Sequence, residues 1–480
     1  MALWIVPGAP LEHGAGWRIW YSWPAGQAFN PGNVVVSRGG IQELKKQEWN
    51  PLPSLPGYDR RMGICIVRLK DTSPGALYDV LIPEAGNQVF RWKSMPDDLS
   101  DPEGVSFLLS SCFWRDNDRE GAYSVAVREL TRLWKPAFKI LCGDQVYQDW
   151  PPEIFGDKQP VTLYGDRYAD YWSDPAYQEV LTATPNLFLC DDHEYWNDYP
   201  ETQIHLARSR TEANRRAYGN AAQKLYELFQ QHANPGGRAW YSFTINPVSF
   251  FVSDARSHRD RFENSPHGFF KEDQWDDLVA WQQGLRGPGV LVIGQPLYQE
   301  DGDWRDHSLS NFREDYVRLL GLIESSLRGN NLDGSPHDIL ILTGDIHTGR
   351  FSTATVHGID TWNEVHELVA SPASRVGPYL STPNPEKPPT RIAVQARQQS
   401  LVWDVQMHSD GTTPTIDNNI ALIRMFPGTN QRVRFELSLW RIRPYDNRSA
   451  FSRLFGKSQP QGPVVRLFPA DRPAHEIQLR

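Results

Sequence analysis

Cysteine is scarce in this 480-residue chain, which holds only Cys65, Cys112, Cys142 and Cys190. A fold of this size held by disulfides would need many more, so a disulfide scaffold is excluded. Positive charge is also short: 49 Lys and Arg stand against 58 Asp and Glu, a formal net charge of −9. That balance argues against non-specific nucleic-acid binding, which needs a basic surface. No apolar run approaches the ~18–20 residues of a membrane-spanning helix. The N-terminus has no cation before Arg18 and lacks the long apolar core of a secretory leader. These absences predict a cytoplasmic protein with no membrane span and no nucleic acid as a structural partner. What is present is ordinary: 40% hydrophobic residues and a mean hydropathy of −0.54 describe a globular chain. Its length suggests about two to four domains.

Composition shifts divide the chain. From Trp4 to Met95, short β-type runs (Val34 to Val36, Ile64 to Val67, Tyr78 to Ile82) alternate with Pro and Gly clusters, as in a small β-sandwich. The polar stretch Met95 to Gly104 reads as a linker, and the proline-rich stretch Ser381 to Arg391 as a second break. Beyond it, Ile420 to Met425 and Val433 to Trp440 again read as strands. The expected domains are therefore 1–100, 101–380 and 381–480. In the middle block, short apolar runs alternate with amphipathic stretches, the rhythm of an α/β fold. Thr211 to His232 is its clearest helix, with Ala217, Ala221, Leu225 and Phe229 at i+4 spacing and Thr211 as N-cap.

Chemistry collects where apolar runs end. Val105 to Leu109 runs into Ser111-Cys112, Phe138 to Cys142 into Gly143-Asp144 and Tyr147, and Leu187 to Cys190 into Asp191-Asp192-His193-Glu194. Ile339 to Leu342 runs into Gly344-Asp345 and His347; Phe250 to Val252 leads to Asp254 and Arg256, and Val290 to Ile293 to Gly294-Gln295. In open α/β sheets, ligands bind outside the carboxyl ends of the strands. Carboxylates crowded there cannot all stay ionised without counter-charge. Metal cations supply that charge, and carboxylate and imidazole ligands suit them. A thiolate and a phenolate would favour a ferric ion over magnesium alone. Taken singly, each piece has a plainer reading: Gly-Asp as a turn, Tyr147 as packing, the cysteines as small hydrophobes, Asp191-Asp192 as a cap. Their coincidence in one block carries the expectation.

These motifs, together with Asn197-Asp198, the stretch Tyr168 to Pro185 and the segment Phe251 to Arg259, resemble the alkaline phosphatase D (PhoD-like) branch of the calcineurin-like metallophosphoesterases. The resemblance implies a four-layer αββα domain, preceded by a fibronectin-like β-sandwich and followed here by a β-rich C-terminal extension. By motif position it implies that Asp144 bridges two metals. Cys112, Tyr147 and His347 would complete a ferric site. Asp192 and Asp345 would hold a second metal, expected to be calcium, and Asn197 a further ion. Other divalent metals are open. His193 would sit over the phosphate as general acid or orienting group, Arg256 or Arg259 would supply cationic help, and Asp191 and Glu194 would fix the ligands. The implied activity is hydrolysis of small phosphate esters, mono- or diesters, by in-line attack of hydroxide held on a metal. Two rivals belong to other classes. A non-catalytic phosphate-binding protein would keep the scaffold without turnover, but no motif position is degraded. A zinc amide hydrolase lacks a His-Glu-x-x-His helix.

Overall fold

The computed structural model describes the chain except residues 1–2, 87, 151–158, 204–205, 262–267, 300–307, 360–363, 375–385, 397–398, 410–412, 429–431, 445–464, 469–474 and 480. Part of the expected break at Ser381 to Arg391 thus lies outside the described residues.

The N-terminal β runs build two four-stranded antiparallel sheets. One joins Trp4–Leu11, Gly16–Pro24, Arg60–Leu69 and Leu44–Pro51; the other joins Ile41–Gln42, Val35–Arg38, Leu77–Leu81 and Val89–Lys93. Alternate residues of both, among them Trp17, Ile19, Val36, Val67, Tyr78 and Trp92, close a shared core, as period-two patterning requires. The opposite face of the first sheet presents Trp4, Trp20 and Ile64 to a second core that includes Phe229. The Trp20 indole donates to Leu228 O at 2.7 Å, and the Trp92 indole donates to Thr182 O at 3.1 Å. Met95 to Gly104 is an irregular connector.

All six apolar runs singled out in the middle block are strands: Val105–Ser110, Lys139–Cys142, Asn186–Leu189, Val248–Val252, Gly289–Val292 and Ile339–Thr343. The first three are parallel neighbours in a seven-stranded sheet. The last three are parallel in an eight-stranded sheet, continued by Glu364–Val369. Strands covered on both faces have no solvent side, so they read as near-continuous Val, Ile, Leu and Phe. One core takes Phe107, Ile140 and Leu187 from one sheet and Phe250, Val290 and Leu340 from the other, so the sheets lie face to face. The intervening positions pack outward. Leu108, Leu141 and Phe188 meet the helices Ala122–Trp134, Pro160–Trp172, Pro175–Ala183 and Glu212–Phe229. Phe251, Leu291 and Ile341 meet Glu272–Gln283 and Arg313–Leu327. Helix Glu212–Phe229 starts where its cap predicts, with Thr211 accepting from Asn214 N.

The C-terminal strands enter the same sheets. Asn419–Pro427 pairs antiparallel with Val105–Ser110, and Val433–Pro444 pairs with Asn419–Pro427. Gln399–Met407 and Arg391–Ala396 extend the eight-stranded sheet beside Arg350–Val356. Among the described residues, no helix is long and apolar enough to cross a membrane.

Candidate metal centre

The parallel strands end on one side, and the turns that follow them converge. Cys112 follows Val105–Ser110, Gly143-Asp144 follows Lys139–Cys142, and Asp191-Asp192 follows Asn186–Leu189. From the other sheet come Gln295, Asp345 and Ser371, after Gly289–Val292, Ile339–Thr343 and Glu364–Val369. Left-handed backbone marks these turns. Cys112 (φ 56), Asp144 (φ 56), Asp198 (φ 60), Asp345 (φ 68) and His347 (φ 51) all take positive φ without being glycine. Such residues cost about 1–3 kcal/mol each and concentrate where function over-determines geometry. Gly143 and Gly344 make the approach possible: a Cβ at Gly143 would collide with Asp191 Cβ, and one at Gly344 with the Ser111 side chain.

The side chains meet in a buried cluster. Ligand atoms of Asp144, Asp192 and His193 lie within 4.8 Å of one another, as do those of Asp191, Asp192 and Asp345. The Cys112 thiol, fully buried, donates toward Asp144 Oδ2 and Asp345 O, each at 3.3 Å. Tyr147 OH lies 3.3 Å from His347 Nε2, and its ring packs on the His193 imidazole at 4.0 Å. Asn197 belongs to the turn after this motif, its N–H on Asp149 Oδ2 at 3.1 Å.

A scaffold of hydrogen bonds fixes the carboxylates. Glu194, wholly buried, accepts from Asp144 N (2.9 Å) and Asp191 N (3.0 Å) through Oε2. Its Oε1 accepts from Gln145 N (2.7 Å) and Gln230 Nε2 (3.2 Å). Asp192 Oδ2 accepts from Asp198 N at 2.6 Å. Asp191 Oδ1 takes Arg256 Nε at 2.6 Å in a pair that is 2% and 1% exposed. Arg256 also donates to Tyr199 O at 3.0 Å. The Arg259 Nε donates to Ala255 O, and its guanidinium lies over Phe312 at 5.0 Å.

The charges are crowded as the sequence implied. Burial pushes Asp144 well above the ordinary carboxylate range, reinforced by Asp192, Asp191 and Glu194 and only partly opposed by His193. Burial likewise lifts Asp191 to about 6 against the pull of Arg256. It also raises the Cys112 thiol and the Tyr147 phenol, with nearby anions adding to both. His193 shows the opposite contest: burial pulls it down, but Asp149, Asp192 and Asp144 win and hold it well above its ordinary value. The same imidazolium, with Arg256 and the Asp198 N–H, outweighs burial at Asp192 and leaves it lowered.

These residues fit a bound cation. Asp191 Oδ2 and Asp192 Oδ1 are buried with no hydrogen-bond partner among the described residues. Orphaned anionic oxygens converging within ligand distance are costly without counter-charge. The carboxylates and the His193 imidazole come within ligand distance, with the Cys112 thiol on Asp144 and the Tyr147 phenol beside His347, which lie outside those two groups; metal ions answer both the orphaned atoms and the lifted acids.

Several contributing groups carried no sequence signal. Asp149 stands 2.8 Å from His193 Nδ1 and also receives the Asn197 N–H, yet it lies in an irregular turn two residues past Tyr147. Gln230 reaches Glu194 from the far end of a helix, and Ser371 donates to the Cys112 sulfur at 3.2 Å across 259 residues. Gln295, which bonds Asp345 Oδ2 at 3.1 Å, was marked only by its place at a strand end.

Residues 107–287 match the family described as PhoD-like phosphatase. A solved structure described as that of PhoD superposes with a TM-score of 0.53 at 18% identity, covering 76% of each chain. At that identity the likeness establishes the fold. A second solved structure, GAP50, the anchor in the inner membrane complex of Plasmodium, gives a TM-score of 0.34 at 12% identity. It covers 70% of this chain and 84% of that one. No curated protein matches.

Proposed function

We propose, from the premise that residues 107–287 form a PhoD-like phosphatase domain, that this chain hydrolyses small phosphate mono- or diesters at the buried carboxylate cluster. The observation that carries the reading is Asp144. It lies between Cys112 on one side and Asp192 and His193 on the other, buried among anions that cannot coexist without cations. In this reading Asp144 would serve as a ligand on both sides of the centre, with the other ligands divided as follows. Cys112, Tyr147 and His347 would hold a ferric ion, Asp192 and Asp345 would hold calcium or another divalent ion, and Asn197 would add to the divalent side. The metals supply an activated water and a sink for charge on the phosphoryl oxygens.

The chain's own residues do the rest. His193, kept protonated by Asp149, orients the phosphoryl group or delivers a proton to the leaving oxygen. Arg256 touches Asp191 rather than open space, so it acts as a positioning residue: it neutralises Asp191 and ties it to the Tyr199 carbonyl. Glu194 holds the Asp144 and Asp191 backbones in register. The strands between the sheets keep the floor dry, which strengthens every interaction above it. We divide the chain at 1–100, 101–380 and 381–480, the last segment completing both sheets of the second.

The test is Asp144→Asn assayed on 4-nitrophenyl phosphate and its bis ester. Turnover should vanish while the circular dichroism and thermal transition stay close to those of the parent. Undiminished turnover would remove the assignment. Metal-replete parent protein that binds phosphate but turns over neither ester would leave a binding protein instead.

A further inference from the structure

Behind the turn that follows the Asp-Asp-His-Glu motif lies a cavity of about 600 Å³ that contains none of the proposed metal ligands. Its wall carries three guanidinium groups, Arg215, Arg216 and Arg261, beside the His258 imidazole. Glu212 is the one carboxylate in that lining, and it is committed to Arg216 at 2.7 Å. Arg215 has neutral partners: its NH1 donates to Thr202 Oγ1 at 3.2 Å and Ser209 O at 2.8 Å. Arg261 lies 3.8 Å from Glu201, which is outside the lining, and the lining residues by themselves are net positive in a chain whose total is −9. Guanidinium groups on a concave wall, with a planar fork of donors each, match the oxygens of a phosphate group. Tyr199 and Trp196 form the opposite wall.

That aromatic wall is also the back of the metal centre. Trp196 N donates to Asp192 O at 2.8 Å, and Asp198 N to Asp192 Oδ2 at 2.6 Å. Tyr199 O receives Arg256, the partner of Asp191. On the far side, Ser257 and His258 continue directly from Arg256 into the cavity lining. Two segments, Trp196 to Tyr199 and Arg256 to His258, thus lie between the cationic cavity and the carboxylates, contributing to the lining of the one and to the hydrogen bonds of the other.

We propose that this cavity is a second phosphate-binding site, which reads an anionic group at a distance from the reacting ester. The proposal rests on the phosphatase reading above for its biological sense, and its ligand class is a phosphate ester, held apart from the one that reacts. The same chemistry would also take free inorganic phosphate, so the test separates the two sources.

The experiment compares full-length parent protein with the variant Arg215→Gln/Arg216→Gln; neither residue belongs to the proposed catalytic machinery. Calorimetric titration with inorganic phosphate should reveal two sites in the parent, one of them weakened at least ten-fold in the variant. If an ester's phosphate is the occupant, a sugar bisphosphate competes for the second calorimetric site, and its kcat/KM falls about ten-fold in the variant while that for 4-nitrophenyl phosphate changes less than two-fold. If free phosphate is the occupant, the two esters respond alike but the second calorimetric site is still lost. One titrated site of equal strength in both proteins, with parallel kinetics, overturns the proposal. Protein that hydrolyses neither ester would refute the hydrolase reading, and the titration alone would then decide the cavity. Arg216→Gln, at an exposed position, gives the same comparison should the double variant fold poorly.

Discussion

Glu194→Gln is the sharpest perturbation of this centre, because it changes one oxygen to an NH2 group and leaves the shape intact. Both carboxylate oxygens of Glu194 are fully used by donors: Asp144 N and Asp191 N on Oε2, Gln145 N and Gln230 Nε2 on Oε1. Whichever way the new amide turns, two acceptor contacts become donor-against-donor contacts around a fully buried side chain. Hydrogen bonds to a charged group contribute about 1.5–3 kcal/mol each, so the expected loss is about 3–6 kcal/mol. Against a typical total of about 5–15 kcal/mol, that is a large fraction. Burial lifts this carboxyl to about 7, and its hydrogen-bonded N–H groups pull the other way. The assay is the urea midpoint of the variant beside that of the parent, with the slope checked for constancy, followed by turnover at a temperature where both are folded. The variant should lose stability by the stated amount and lose turnover by at least two orders of magnitude, since the Asp144 and Asp191 backbones lose their common anchor. A variant within about 1 kcal/mol of the parent, with full turnover, would refute the idea that Glu194 holds the carboxylates in place; the usual surface substitution costs less than that.

Arg256→Met should leave Asp191 as an uncompensated buried anion and cost about 3–5 kcal/mol; recovery of most of that loss in the double variant with Asp191→Asn, read from thermal unfolding, would identify the charge as the cause. Purified protein should be violet if Tyr147 and a ferric ion are bonded, and Tyr147→Phe should abolish the visible band; active, colourless protein containing only zinc or magnesium would remove iron from the reading. A third outcome concerns pH. His366 is 5% exposed, and burial, with His408 and His475 nearby, pushes it from 6.5 down to about 3. It stays neutral in the fold, with Thr353 Oγ1 3.1 Å from its Nδ1. Below about pH 6.5 the unfolded chain takes up a proton that the native state refuses. Stability is therefore full above 6.5 and lost as pH falls toward 3, by up to about 5 kcal/mol. His366→Gln should flatten that slope in denaturant titrations between pH 7 and 4, and an unchanged slope would exclude His366 as its source.

The sequence by itself determined the local elements and the chemistry available at their ends. Ile339-Leu340-Ile341-Leu342 has no polar face to show to water, so it had to be a strand covered on both sides. Gly-Asp and Asp-Asp-His-Glu directly after such runs pointed to polar groups gathered at strand ends. Thr211 had to start a helix, because its hydroxyl answers an N–H that the helix leaves open. The strands at Ile420 to Met425 and Val433 to Trp440 were equally legible, since a short apolar or alternating run is a local property.

Tertiary structure decided who meets whom. Nothing in the run Ile420 to Met425 says that the segment lies beside Val105–Ser110, more than three hundred residues earlier; only the hydrogen-bond register of the folded sheet does. Tertiary structure also selected Asp149 as the partner of His193 and turned Arg256 toward Asp191. The cysteines make the same point. All four are buried alike, and a local reading sees small hydrophobes. Cys112 alone is placed, by a left-handed turn and by Ser371 from a distant strand, within 3.3 Å of Asp144. Residue type and spacing specify what a side chain can do, because those are set by covalent chemistry and local sterics. Which charges share one dry space is set by long-range packing, which no single segment of the chain contains.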